Sequence, residues 1–110
     1  MMQSKTLTEL KQEIHETAVA HGWWDQLRTW PQECALIHSE VTECFEEWRH
    51  SNAELYENNG KPEGIGIELA DIIIRVLDVA VGYNIDIEKC MEIKMAYNKT
   101  RSYRHGGLRA

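Results

Sequence analysis

Positive charge is scarce in this chain of 110 residues: 12 lysines and arginines stand against 18 aspartates and glutamates, a formal charge of -6. Gripping a polyanion requires a basic face that displaces counterions, so nucleic-acid polymers are excluded as partners held by general electrostatics. Cysteine is also sparse. The three present, Cys34, Cys44 and Cys90, are odd in number and show no CxxC spacing, which argues against a disulfide framework, a zinc site or a dithiol redox centre. They read as buried free thiols in a reducing compartment. No apolar run approaches the roughly eighteen residues of a membrane span, and Gln3, Ser4 and Lys5 stand where a secretory signal would be apolar. No membrane partner and a cytoplasmic location are therefore expected. Sustained strand-like alternation, internal repeats and low-complexity tracts are lacking as well. What is left is a single helical domain over 1–110, of a size for which association with a second copy helps bury apolar surface.

Four helices account for most of the chain. Thr6 followed by Glu9 has the form of a capping box, and Leu7, Leu10, Ile14 and Ala18 continue at helical spacing until His21-Gly22. Pro31 suits the first turn of a second helix, whose apolar face is Cys34, Ile37, Val41, Cys44, Phe45 and Trp48, ending near Arg49. The stretch from about 50 to 66 contains Asn58-Asn59-Gly60 and Lys61-Pro62 and reads as a mobile loop. A third helix is predicted from Ile65 to Val81, and a fourth from after Asp86 to about Arg104, with a flexible tail at about 105–110. A four-helix bundle is the natural architecture.

Chemistry concentrates on the second and third helices. Glu40 and Glu43 project from neighbouring positions, and Glu47 returns to within about 20° of Glu40. This acidic face borders the apolar arc and does not oppose it. On the third helix Glu68 and Asp71 repeat the i, i+3 spacing, and their polar strip continues through Arg75 and Asp78. Isoleucine, leucine and valine occupy most of the remaining circumference, so this helix is expected to be central, with its acids aimed into a groove. Like charges there call for a divalent cation, and magnesium prefers such oxygen ligands. The alternative is a solvated acidic face with ordinary salt bridges, in which Arg75 neutralises Asp71 or Asp78. Glu46 points about 120° from Glu40 and is expected in solvent.

On the fourth helix Lys94, Asn98 and Arg101 form one row among Ile87, Cys90, Met91, Met95 and Tyr97. Cations within an apolar arc need anions, supplied by the acids above or by ligand phosphates; alternatively the two long side chains snorkel to solvent. Arg104 and His105 extend the basic character. Trp23, Trp24, Trp30 and Trp48 are candidates for stacking on a base, Trp24 and Trp48 foremost, against the commoner role of tryptophan as core.

Leu36-Ile37-His38-Ser39-Glu40-Val41-Thr42-Glu43, then Glu68-Leu69-Ala70-Asp71, then Lys94-Met95-Ala96-Tyr97-Asn98-Lys99-Thr100-Arg101 together resemble the MazG-like nucleotide pyrophosphohydrolases, over roughly residues 31 to 105. Ser39 stands where that family's motif often has a first glutamate, as small residues do in the dCTP-pyrophosphatase-like branch. The resemblance implies that Glu40, Glu43, Glu68 and Asp71 hold magnesium, with manganese a substitute and Glu47 a further candidate. It implies that Lys94, Asn98 and Arg101 contact phosphates, and that a homodimer or homotetramer assembles the sites. The reaction implied is hydrolysis of a (deoxy)nucleoside triphosphate to a monophosphate and pyrophosphate. Cleavage of another pyrophosphate-containing nucleotide, of the phosphoribosyl-ATP type, and a non-catalytic helical regulatory dimer are the rival readings. A ferritin-like di-iron protein requires two Glu-x-x-His motifs, and the chain has one, Glu47 to His50.

Overall fold

The structure, a computed structural model, describes residues 4–103. Over these residues the chain is mostly helical, with α1 (Leu7–Ala20), α2 (Trp30–His50), α3 (Ile65–Gly82) and α4 (Ile87–Thr100), and one small hairpin of β1 (Tyr56–Asn58) and β2 (Lys61–Glu63) between α2 and α3. The expected tail at 105–110, with Arg104, lies outside the described residues. Among the described residues no helix is long and apolar enough to cross a membrane.

The helix starts follow from their caps. Thr6 accepts from the Glu9 amide while Glu9 reaches back to the Thr6 amide, and Thr29 and Gln32 do the same for α2. Each box satisfies two amides that have no partner inside the helix. Asp86 accepts from the Lys89 amide at the start of α4. No side chain caps α3. Instead the backbone of the preceding segment does so: Ile65 and Gly66 donate to the carbonyls of Ala53 and Glu54 at 3.0 and 2.9 Å. Gly64 makes this possible, because its φ of 123° disfavours L side chains and a β-carbon there would lie 2.4 Å from the Glu54 carbonyl oxygen.

Helix α3 is central, packing against both α1 and α2. The buried apolar residues Ala18, Leu77, Val79 and Ala80 lie where the second half of α1 meets the second half of α3. The connector between α1 and α2 closes this corner. Trp24 packs against Gly82, where a β-carbon would come within 2.1 Å of the indole ring. Tyr83 Oη donates to the Arg28 carbonyl. Arg28 in turn donates from Nε to Glu33 at 2.8 Å and from Nη1 to the Trp23 carbonyl at 2.9 Å. Glu33 is fully buried, so this ion pair must be kept: removing one partner would leave the other charge stranded.

Three expectations change. The segment at 50–66 is not an unstructured loop: Tyr56, Glu57 and Asn58 pair with Glu63, Pro62 and Lys61 in antiparallel register. Asn59 and Gly60 at its tip both have positive φ, the geometry of a tight turn that suits twisted strands. Three-residue strands are too short to show alternation, which is why the periodicity passed over them. Helix α4 stops at Thr100, not near Arg104, because Arg101 has extended backbone (φ -73°, ψ 144°). And Cys90 is exposed, while Cys34 and Cys44 are half-buried. The exposure of Cys90 has the same cause as that of α4 as a whole: no residue of this helix is buried. Its first turn is moored to α1, where Lys11 Nζ and Thr8 Oγ1 each lie 2.6 Å from the Glu88 carboxylate. Beyond that mooring, its apolar arc has no cover among the described residues.

Candidate functional site

Helices α2 and α3 face each other along their acidic strips. The structure brings together Glu40, Glu68 and Asp71, all half-buried, with one carboxylate oxygen from each within 4.8 Å of the others. No histidine belongs to this group. Glu68 Oε2 is buried without a hydrogen-bond partner. Burial pushes the Glu68 carboxyl above its ordinary range, and the charges of Asp71, Glu43, Glu40 and Glu47 push it further. Asp71 is raised for the same first reason and by Glu40, with Lys61 and Arg75 opposing. Acids held this way relieve their repulsion by taking up a proton or a cation.

The other two candidate acids lie beside the group. Glu43 is exposed and acts on Glu68 through its charge. Glu47 is half-buried and accepts from Tyr56 Oη of the hairpin at 2.7 Å. That contact pushes the Tyr56 phenol up to about 12. Glu46, expected in solvent, is exposed and pairs with Arg49 at 3.1 Å. His50, half of the one Glu-x-x-His motif, is 82% exposed and meets Glu46 at 4.0 Å instead of joining the acids.

Arg75 forms no salt bridge with Asp71 or Asp78 on its own helix, although its charge bears on Asp71. Its Nη2 donates across to Glu40 Oε1 on α2 at 2.9 Å. Asp78 has separate partners: His15 Nδ1 lies 2.8 Å from Oδ1, and the Trp24 indole nitrogen donates to both oxygens at 3.0 and 3.1 Å. A cavity of about 410 Å³ runs between these two acidic positions, from Glu40, Asp71 and Arg75 to Asp78, with Ile14 and Trp23 among its apolar walls.

This cavity separates tryptophans that the sequence left together as candidates. Trp23, half exposed, lines it, whereas Trp24 is held by Asp78 and flanked edge-on by His15 and Tyr83. Trp48 lies elsewhere on α2, exposed and stacked on Phe45 at 6.1 Å. Two adjacent tryptophans carry no sequence signal that separates the packed one from the open one. Lys61, whose charge bears on Asp71, was hidden in a segment read as loop.

The basic row is not buried. Lys94, Asn98 and Arg101 are all exposed, and Arg101 stands one residue past the end of α4, off the helical row. Lys94 Nζ sits 5.2 Å above the Tyr97 ring and the Arg101 guanidinium 6.0 Å from it, so each charge has an aromatic face and solvent, with no acid paired to it among the described residues. An apolar arc predicts a buried face only where another element covers it.

Comparison of the chain with known protein families, with curated proteins and with solved structures finds no match.

Proposed function

We propose that the chain is a cytoplasmic, magnesium-dependent nucleoside triphosphate pyrophosphohydrolase of the MazG-like kind, hydrolysing a (deoxy)nucleoside triphosphate to a nucleoside monophosphate and pyrophosphate. The observation that carries this reading is the convergence of Glu40, Glu68 and Asp71 from two helices, with a buried, unpartnered oxygen on Glu68, beside a cavity of nucleoside dimensions. The donor set fits a hard divalent cation: every group is a carboxylate, and the unpartnered oxygen lacks the partner that a buried polar atom ordinarily has. Glu40, Glu68 and Asp71 would hold magnesium or manganese, with Glu43 and Glu47 beside them. When bound, such an ion supplies polarisation of phosphoryl oxygens and favours ionised water at neutral pH.

The chain's own groups do the rest. The apolar cavity wall excludes water from a bound nucleoside, and the open face of Trp23 offers it a stacking surface. Lys94, Asn98 and Arg101 supply donors to the phosphates, where charge accumulates on the departing pyrophosphate. Because α4 leaves these residues in solvent, the reading includes a homodimer or homotetramer in which α4 is covered and its basic residues meet the phosphate chain. Val41, Phe45 and Trp48 on α2, Leu69 and Ile73 on α3, and Met91, Ile93, Met95 and Tyr97 on α4 are all more than two-fifths exposed. The radius of gyration of 16.5 Å, against roughly 13 Å for a compact domain of about this length, fits a protomer that is not closed on itself.

A panel of NTPs and dNTPs incubated with magnesium, scored for pyrophosphate and monophosphate, tests the activity. Release of both from at least one nucleotide, abolished by chelator and by Glu68→Gln, is expected. Orthophosphate as the product, or undiminished turnover in chelator, would refute it.

A further inference from the structure

Among the described residues, Arg75 is the one cation hydrogen-bonded to the acid group. Its Nη2 to Glu40 Oε1 contact spans α3 to α2 at 2.9 Å, and both side chains are largely shielded, at 21% and 12% exposure. The guanidinium also borders the cavity and lies 6.0 Å from the Trp23 ring, and its remaining N–H groups make no hydrogen bond among the described residues. It therefore neutralises one of the three acids whose oxygens converge, while Glu68 Oε2 has no partner. A carboxylate oxygen that accepts from a guanidinium is less available to a metal ion, and the two cations repel at this range.

From this we propose that Arg75 is the resident counter-ion of the acid group: it holds Glu40 until a divalent cation takes that carboxylate, and then swings free beside the cavity. The inference rests on the metal reading above. It makes Arg75 a positioning residue that links cation binding to the wall of the ligand cavity, since the group released by one is presented to the other. The free guanidinium, a planar donor fork, suits a carbonyl or phosphate oxygen of the cavity's occupant.

The test uses Mn2+ alone, titrated by calorimetry into the wild type, Arg75→Gln, Glu40→Gln and the double variant. A charge-assisted hydrogen bond corresponds to roughly ten- to hundredfold in an equilibrium constant. Arg75→Gln is therefore expected to bind Mn2+ on the order of tenfold more tightly than the wild type, with the gain lost when Glu40 is also changed. An equal gain in both backgrounds would mean that Arg75 acts only through its field, and no gain that it stays with Glu40; either overturns the exchange. Wild-type protein and variants that all fail to bind Mn2+ would overturn the metal reading along with it. Should Arg75→Gln not fold, NMR on the wild type decides: the Arg75 Nε–H resonance should shift on saturation with Mg2+, and an unmoved resonance refutes the exchange.

Discussion

Asp71 and Asp78 are two turns apart on one face of α3, and the same cavity touches both. Their surroundings differ completely. Asp78 is 2% exposed, and its oxygens are met by His15 and by the Trp24 indole nitrogen. Asp71 converges with Glu40 and Glu68, and burial and the charge of Glu40 oppose its ionisation. A buried acid supplied with donors stabilises the fold, whereas acids gathered against one another cost stability until something cationic arrives. Under the proposed function, the pair separates structural from functional acidity on a single helix.

The sharpest way to break the comparison is turnover. Asp71→Asn and Glu68→Gln are expected to lower pyrophosphate release by on the order of a thousandfold or more, because each removes a ligand charge from the acid group. Asp78→Asn should lose far less, in proportion to any loss of folded protein. If Asp78→Asn were equally inactive while melting normally, the division into structural and functional acids would fail.

Stability should show the reverse order. Asp78→Ala leaves the His15 and Trp24 donors without an acceptor and should cost about 3 kcal/mol. For a domain near this size that lowers the melting temperature by roughly 4–8 °C per kcal/mol. Asp71→Ala relieves repulsion and should melt at or above the wild-type temperature in the absence of divalent ions. Slightly smaller is the effect of the ion itself: free magnesium at about a hundred times its dissociation constant should stabilise the wild type by about 2.7 kcal/mol. Asp71→Asn should show little of this in the same thermal melts.

The dependence on pH is gentler and its sign is fixed by the raised acids. Glu68 and Asp71 bind protons more tightly folded than unfolded, where their ordinary values are 4.5 and 3.8. Folded protein therefore holds more protons in the window above those values, and the slope of stability with pH is negative there. Without divalent ions, this contribution favours the folded state at low pH and is lost as pH rises through the folded-state values; the gain from magnesium grows over the same window. Melts in chelator at a series of pH values, with Glu68→Gln/Asp71→Asn as reference, isolate it. An unchanged difference between wild type and double variant would mean the acids are not raised. The smallest effect belongs to the rim: Tyr56→Phe, on an exposed side chain, should change stability by less than about 0.5 kcal/mol. In the intact protein the Tyr56 phenol should titrate near 12, and Glu47→Gln should bring it down.

Much of the fold was legible because helices are written locally. The capping box at Thr6 and the Asp86 cap follow from residues within one turn of each boundary. The 3.6-residue period also placed Glu40, Glu68 and Asp71 on inward strips. What was misread had local patterns too short or facing the wrong neighbour. The hairpin's strands offer three residues each, and the apolar arc of α4 states only that the face can be buried.

By itself, then, the sequence determined where the helices run and which way their side chains point, since dihedral preference, capping and periodicity act over a few residues. It did not determine what stands opposite. That Arg75 meets Glu40 across two helices, that Trp24 serves Asp78 while Trp23 opens on the cavity, and that Asp78 meets donors where Asp71 meets other acids were decided only when α1, α2 and α3 packed together. The reason is physical: a carboxylate's behaviour is set by burial and by donors and charges within a few ångströms, and the donors that meet Glu40 and Asp78 stand 35 to 63 positions away in the chain.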